Sequence, residues 1–283
     1  MSEPGIAVII PTFNRCHLLR RALDSVLQQI YQAEEICVVD DGSDDGTAAM
    51  LAAEFPEVTL VQQANRGVSA ARNAGVRATQ SSWLAFLDSD DEWFPEKLEQ
   101  QIIAWQNNPD YRLVHCNEIW VRRGRRVKQK RKHSKAGGDI FKQCLPHCAV
   151  SPSAVLLQRS LLAEVGGFDE LLPACEDYDL WLRICAHYPV LFIEEPLLRK
   201  HGGHADQLSR KYWGMDRFQA HALDKLLDNH ELSDEQIMAS KQTLTEKCQI
   251  LLRGARKHDN EEVKQLVAAL MHKHELHVYA SNC

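Results

Sequence analysis

The sequence predicts a three-layer α/β fold: a mixed, mainly parallel sheet with helices on both faces, continued by a C-terminal helical extension. Three observations carry this. Short apolar runs alternate with helical patterns through the first half of the chain, the connections between them are short, and from about residue 207 the pattern is helical almost to the end. Such β–α alternation requires parallel strands with crossover helices packed on the sheet. The 283 residues, 45% apolar and 25% charged, suit one large domain with an appendage, or two domains.

In chain order, residues 6–10, 35–39 and 58–61 read as strands, separated by helices over about 15–30 and 44–55. A small-residue helix over 66–79 leads into a strand at 83–87, whose run of Trp, Leu, Ala, Phe and Leu buries both faces. Leu98, Ile102 and Trp105 make a helical stripe after Pro95, which suits a first helical position. Residues 113–121 and 153–157 are further strands, and a helix over 159–165 stops at Gly166 and Gly167. Leu180, Trp181, Ile184 and Cys185 mark a helix within 176–187, and residues 190–193 a short strand. Beyond them, two or three helices form a hairpin whose apolar faces cover the main domain or a second copy of the chain.

Composition narrows the function classes. No run approaches a membrane-spanning length, and the first ten residues lack a secretory pattern, so a cytoplasmic protein is expected. Nine scattered cysteines without a C-x-x-C pair fit reduced thiols rather than a disulfide framework or a zinc site. Net charge is −6, yet Arg122, Arg123, Arg125, Arg126, Lys128, Lys130, Arg131, Lys132 and Lys135 form an uninterrupted cationic run. Without those nine of the 33 Lys and Arg, the 39 Asp and Glu would leave −15. The run reads as a mobile basic loop that could meet anionic headgroups at the inner face of a membrane, or as a solvated hairpin tip. Nucleic acid is not expected, because the stacking aromatics are missing and the rest of the chain is acidic.

Chemistry concentrates at predicted strand ends, where open α/β sheets carry their ligands. Asp88 and Asp90 share a face and could hold a divalent cation with a diphosphate, although acids before a helix also serve as caps. Asp40 and Asp41 end the second strand and could accept hydrogen bonds from a base or ribose. Pro11 ends pairing of the first strand, leaving Thr12 and Phe13 to wall the same crevice. Arg72 and Asn73 sit among alanines and can approach phosphates closely. Glu176 and Asp177 begin a helix, where a carboxylate is stabilised by the dipole and could serve as a base. The glycine-rich dinucleotide and P-loop patterns are missing after the first strand.

Together, IIPTFNR, VVDDGSDDG, NRGVSAARNAG, FLDSDDEW, GGFDE and CEDYDLWLR resemble, in order and spacing, the family 2 inverting glycosyltransferases of GT-A (Rossmann-like) fold over roughly residues 5–210. The resemblance implies a nucleotide-sugar donor, UDP by default, and a glycan or lipid-linked hydroxyl acceptor in surface or extracellular glycan synthesis. It divides the chain into a GT-A domain at 1–205, with a nucleotide-binding half at 1–110 and an acceptor-binding half at 111–205, and an extension at 206–283. It places Pro11, Thr12 and Phe13 around the base, Asp41 or Asp40 on the base edge, and Arg72 near the nucleotide. The Asp88-Ser89-Asp90 triplet corresponds to the DXD motif: Asp88 and Ser89 at the donor, Asp90 the main ligand of Mg²⁺ or Mn²⁺, with Asp88 and His201 as further ligands. Asp91 is left as a helix-start carboxylate. Asp177 is the implied base and Glu176 an acceptor contact. RKHGGHADQLS resembles a segment that folds over the diphosphate, with His204 and Gln207 as weaker candidates. Phe13 replaces a commoner tyrosine, and residues 137–148, expected to face the acceptor, carry no readable motif. A homodimer through the C-terminal helices is a further expectation. Two other functions stay open at this point: nucleotidyl transfer, and a noncatalytic scaffold that keeps the nucleotide site.

Overall fold

The structure is a computed structural model that describes residues 4–203, 212–228 and 231–276. Four strands, β1 (Ile6–Thr12), β2 (Glu35–Asp40), β3 (Thr59–Gln62) and β4 (Trp83–Phe86), form a parallel half-sheet. The helices α1 (Cys16–Leu27), α2 (Thr47–Glu54) and α3 (Val68–Ala78) connect them. The second half contains β5 (Glu92–Trp93), α4 (Lys97–Gln106), β6 (Leu113–Arg122), β7 (Arg125–Val127), α5 (Phe141–Cys144), β8 (Val155–Gln158), α6 (Arg159–Glu164), α7 (Glu176–Cys185) and β9 (Leu191–Gly202). Three helices follow: α8 (Met215–Leu227), α9 (Asp234–His258) and α10 (Glu261–Lys273).

Strand order is β3-β2-β1-β4-β8-β6-β9-β5, with β7 hairpinned onto β6. Because β8 runs antiparallel to both β4 and β6, β6 again runs parallel to β4, and their carboxyl ends lie along one edge. That shared edge carries the acidic motifs. Side-chain alternation sorts the core into two faces. Ile6, Val8 and Ile10 join Leu19, Leu23 and Leu98 on one side. Ile9, Leu84 and Phe86 join Trp181, Leu223, Leu244 and Val267 on the other, so the C-terminal helices share one apolar cluster with the sheet. Of the two placements expected for those helices, this is packing on the main domain.

Three sequence expectations change. Pro11 does not end the pairing of β1: the register continues through Pro11↔Val39 and Thr12↔Asp40. A parallel ladder draws on alternate N–H groups, so a proline is tolerated where its N–H would point away from the partner. The strand expected at 190–193 runs on to Gly202, because register shifts at Asn117 absorb Pro196 and let β9 follow β6 to its end. Consequently Arg199, Lys200 and His201, the start of the RKHGGHADQLS segment, are strand residues. Pro95 precedes the helix it was expected to start, since α4 begins at Lys97 after the short β5.

Candidate active site

Two loops close over the end of the half-sheet because their side chains clasp one another. Asn14, at φ 51°, accepts from Asp44 N (2.9 Å) and donates its own N–H to Ser43 Oγ (2.9 Å). Asp45 accepts from Cys16 N at 2.8 Å and caps α1 from a distance. Gly42 sits at φ 87°, and a Cβ there would lie 3.1 Å from Asn65 N, so the turn after Asp41 can approach the next loop only as glycine. Asp40 accepts from Ser43 N at 2.9 Å. Both oxygens of Asp41 are engaged, by Gln63 Nε2 (2.7 Å), Arg66 N (2.9 Å) and Gly67 N (2.8 Å), so Asp41 braces the start of α3. Above them Phe13 is exposed, while Thr12 Oγ1 and Ser69 Oγ are buried with no hydrogen-bond partner among the described residues. Such orphaned hydroxyls, at the end of β1 and the start of α3, are available to a ligand.

Arg72 is the junction of the site. Only 2% exposed, it donates through Nη2 to Asp88 Oδ1 and through Nη1 to Glu176 Oε1, both at 2.7 Å, and its guanidinium lies over the Phe168 ring at 5.1 Å. One planar fork thus joins the DSD loop to the start of α7. Neighbouring Asn73 is engaged by the GGFDE segment. It donates to Phe168 O (2.8 Å) and accepts from Phe168 N (3.1 Å), pinning the GGFDE segment. Burial works to raise the Asp88 carboxyl, but Arg72, Lys200 and Arg15 outweigh it and hold it below the usual carboxylate range. Burial and then Asp177 push Glu176 up despite Arg72.

Asp90 is buried, with Arg15 Nη1 3.1 Å from its Oδ2 and Arg21 donating to its carbonyl. Ser89 is buried beside it. Asp91 is not a helix-start carboxylate: at 1% exposure it accepts from Ser153 Oγ (2.6 Å) and His201 N (2.8 Å), tying the DSD loop to the turn before β8 and to β9. Burial and the neighbouring Asp88 and Asp90 push its carboxyl well up. The His201 ring faces Glu92, 3.5 Å from Oε2. Asp88, Asp90 and His201 therefore do not converge as a three-ligand cluster. Among the described residues the one such cluster is Asp224 on α8, Asp228 just after it and His274 just after α10, and there Lys273 Nζ already binds Asp224 (2.7 Å) and Asp228 (2.9 Å).

Asp177 lies in the first turn of α7, after Cys175 in the left-handed region at φ 63°. It is half-buried; Oδ1 accepts from Tyr178 N (2.7 Å) and Oδ2 faces Cys148 Sγ (3.2 Å). Cys148, the last residue of the stretch without a readable motif, is one of two neighbours of this carboxylate missed in the sequence. The other is Lys200, whose Nζ donates to Ser151 Oγ and whose charge is held up, against burial, by Glu118, Asp91, Asp88 and Asp177. His204 and Gln207 lie outside the described residues.

A sequence profile described as Glycosyl transferase family 2 matches residues 7–166. An uncharacterized glycosyltransferase of Rickettsia prowazekii is 31% identical over 203 residues, which cover 70% of this chain and 64% of that protein. The Escherichia coli UDP-Glc:alpha-D-GlcNAc-diphosphoundecaprenol beta-1,3-glucosyltransferase WfgD is 30% identical over 193 residues, 65% of this chain and 71% of its own. Staphylococcus aureus TarS 1–349 in complex with UDP-GlcNAc superposes with a TM-score of 0.68 at 21% identity, covering 86% of this chain and 71% of that one. The mannosyltransferase PcManGT of Pyrobaculum calidifontis, in complex with GDP-Man and Mn²⁺, gives 0.61 at 18% identity, covering 95% and 80%. These two likenesses show a shared GT-A fold.

Proposed function

The chain belongs to glycosyl transferase family 2, and from that premise we propose that it moves a sugar, with inversion, from a UDP-linked donor to the hydroxyl of a glycan or lipid-linked acceptor. The observation that carries this is the Arg72 fork, which joins a carboxylate of the donor loop, Asp88, to one beside the base, Glu176. The donor's base and ribose would lie over Pro11, Thr12, Phe13 and Asp40, where unpartnered Thr12 Oγ1 and Ser69 Oγ are buried. The WfgD relative, by its name, acts on UDP-Glc and a lipid diphosphate acceptor. That supports the same donor and acceptor classes here and a role in surface glycan synthesis.

Asp177 is the base in this reading. Its half-buried carboxylate takes the proton of the acceptor hydroxyl as that oxygen bonds to the anomeric carbon and the bond to the diphosphate breaks. The helix start and Tyr178 N–H orient it, so it meets the acceptor in a fixed direction. A divalent cation fits by donor chemistry: Asp88 and Asp90 offer carboxylate oxygens, and Asp88 is held ionised. Mg²⁺ or Mn²⁺ held there would offset charge on the departing diphosphate. His201, turned toward Glu92, is the weakest of the three ligands in this reading.

Asp177→Asn separates the base from the binding site. Transfer to acceptor should fall by about 10²- to 10⁴-fold, the usual worth of a positioned base, while calorimetric UDP-sugar binding stays within a few-fold of wild type. Unchanged turnover would remove Asp177 from the mechanism.

A further inference from the structure

The cationic run is left unused by sugar transfer, and the structure gives it a defined shape. Its first part is a two-stranded hairpin, the second of the two shapes expected, with Trp120↔Val127, Val121↔Arg126 and Arg122↔Arg125 in register, and Arg131–His133 form a 3₁₀ turn beyond it. Arg123 and Gly124 both have positive φ, 50° and 73°, which is the tight turn that matches strand twist. Arg122, Arg123, Arg125, Arg126, Lys128, Lys130 and Arg131 are exposed, and none makes an ion pair with a described residue. Lys135 behaves differently. It is buried against Glu118 at 2.9 Å and anchors the base of the hairpin segment.

Beside the hairpin lies a cleft of about 590 Å³. Ile119, Trp120, Val127 and Pro196 supply its apolar lining beside Arg126 and Lys128, and its one acid, Glu118, is paired with Lys135. Apolar surface beside unpaired cations suits an amphiphile with an anionic head better than a free anion. Placement adds to this. β6 ends on the same sheet edge as β4, Val121 pairs with His201, and His201 N is bonded to Asp91 in the acidic loop.

We propose that the β6–β7 hairpin and its cleft form a docking surface for a bilayer that exposes anionic phospholipid. Clustered Lys and Arg at such a surface add their attractions and lose them as salt screens the charge. The rest of the chain is net acidic and is repelled by the same surface, so one orientation is favoured, hairpin down. On the sugar-transfer reading, that orientation presents the active-site edge to a lipid-linked acceptor. The docking itself does not depend on that reading.

The test is co-sedimentation of the full chain with vesicles of phosphatidylcholine alone, and with vesicles containing one-third phosphatidylglycerol, at low and high salt. Binding should require phosphatidylglycerol and weaken steeply with salt. Changing Arg123, Arg125 and Arg126 together to Glu should weaken it at least about 100-fold. The same triple reversal at Arg253, Arg256 and Lys257, exposed on α9, should leave most of it. Thermal melts establish that both variants fold, and donor hydrolysis without vesicles should match wild type in the hairpin variant. Loss of hydrolysis in Asp177→Asn with intact vesicle binding would show the two functions to be separate. The proposal is overturned if phosphatidylglycerol vesicles do not bind, if the hairpin variant binds like wild type, or if millimolar inorganic phosphate displaces the protein at constant ionic strength. Binding to an RNA homopolymer but not to vesicles would likewise overturn it.

Discussion

The Cys148 thiol lies 3.2 Å from Asp177 Oδ2 and 3.1 Å from Val150 O, so its single proton is directed between a carbonyl and the proposed base. Burial, followed by Asp177 itself, pushes the thiol well up, and it remains a hydrogen-bond donor throughout the working pH range. Around the same carboxylate stand Glu176 and Cys175 from its own chain segment and Lys200 from β9, with Arg72 behind Glu176. Removing that donor loosens the direction in which the carboxylate faces the acceptor. Cys148→Ala should therefore lower kcat by about 3- to 10-fold, the usual net worth of one hydrogen bond, and Cys148→Ser should return most of it. Unchanged kcat in Cys148→Ala would make the thiol a packing residue only. Cys148 and Lys200 show why part of the site was illegible. Arg72 could be singled out because it interrupts a helix of small residues. Lys200 is one cation in a charged segment, and Cys148 one of nine thiols, and each reaches Asp177 only after distant parts of the chain pack together.

At the scale of elements, α3 depends on the glycine in NRGVSAARNAG. A Cβ on Gly75 would fall 2.4 Å from Ile9 Cγ2 and 3.2 Å from Val39 Cγ2, so the helix lies against β1 and β2 with no room for a methyl. That contact sets how closely Arg72 approaches Asp88. Gly75→Ala should cost roughly 1–3 kcal/mol, the usual range for overpacking, and should lower donor affinity by displacing Arg72. Gly254 on α9 has nothing within 4 Å of its would-be Cβ, so Gly254→Ala should instead stabilise by up to about 1 kcal/mol. Urea denaturation of the two variants checks both signs, and a stable Gly75→Ala protein would mean that α3 can shift freely. Elements with strong periodicity, such as α3, α7 and the four strands of the half-sheet, were legible within a few residues. β9 was not, because Glu194, Glu195 and Pro196 read as the end of a strand. Pairing with β6, with its register shifts, carries the strand six residues past that proline. Asp91 was misread for a related reason: its partners, Ser153 and His201, are 62 and 110 residues away.

For the molecule as a whole, acid sensitivity should begin at β6, where the second half of the sheet is assembled. His115 there is fully buried; Nε2 donates to Ala136 O at 2.9 Å, Nδ1 has no partner among the described residues, and the ring lies on Phe192 at 5.0 Å. Burial, and then Lys135, push it down to about 3, against the smaller opposing effects of Ala136 O and Glu118. In the unfolded chain a histidine takes up its proton near pH 6.5. Between pH 6.5 and 3 the unfolded state therefore binds one proton more than the native state, and stability falls as pH falls. Above 6.5 both states are neutral at this ring and the dependence vanishes. The slope is about 1.4 kcal/mol per pH unit, or roughly 2 kcal/mol between pH 7 and pH 5. Glu118 acts in a lower window. Lys135 and Lys200 outweigh the effect of burial and hold it at about 2, so its stabilisation is complete above its unfolded value and is lost only on descent toward pH 2. The C-terminal helices share their apolar cluster with the sheet, so the loss should appear as one cooperative transition across the chain. His115→Gln keeps a donor for Ala136 O but does not titrate. Its urea-unfolding free energy should fall less between pH 7 and pH 5 than that of wild type, by about the 2 kcal/mol assigned to the ring. Equal losses in the two proteins would place the acid-sensitive step elsewhere than β6.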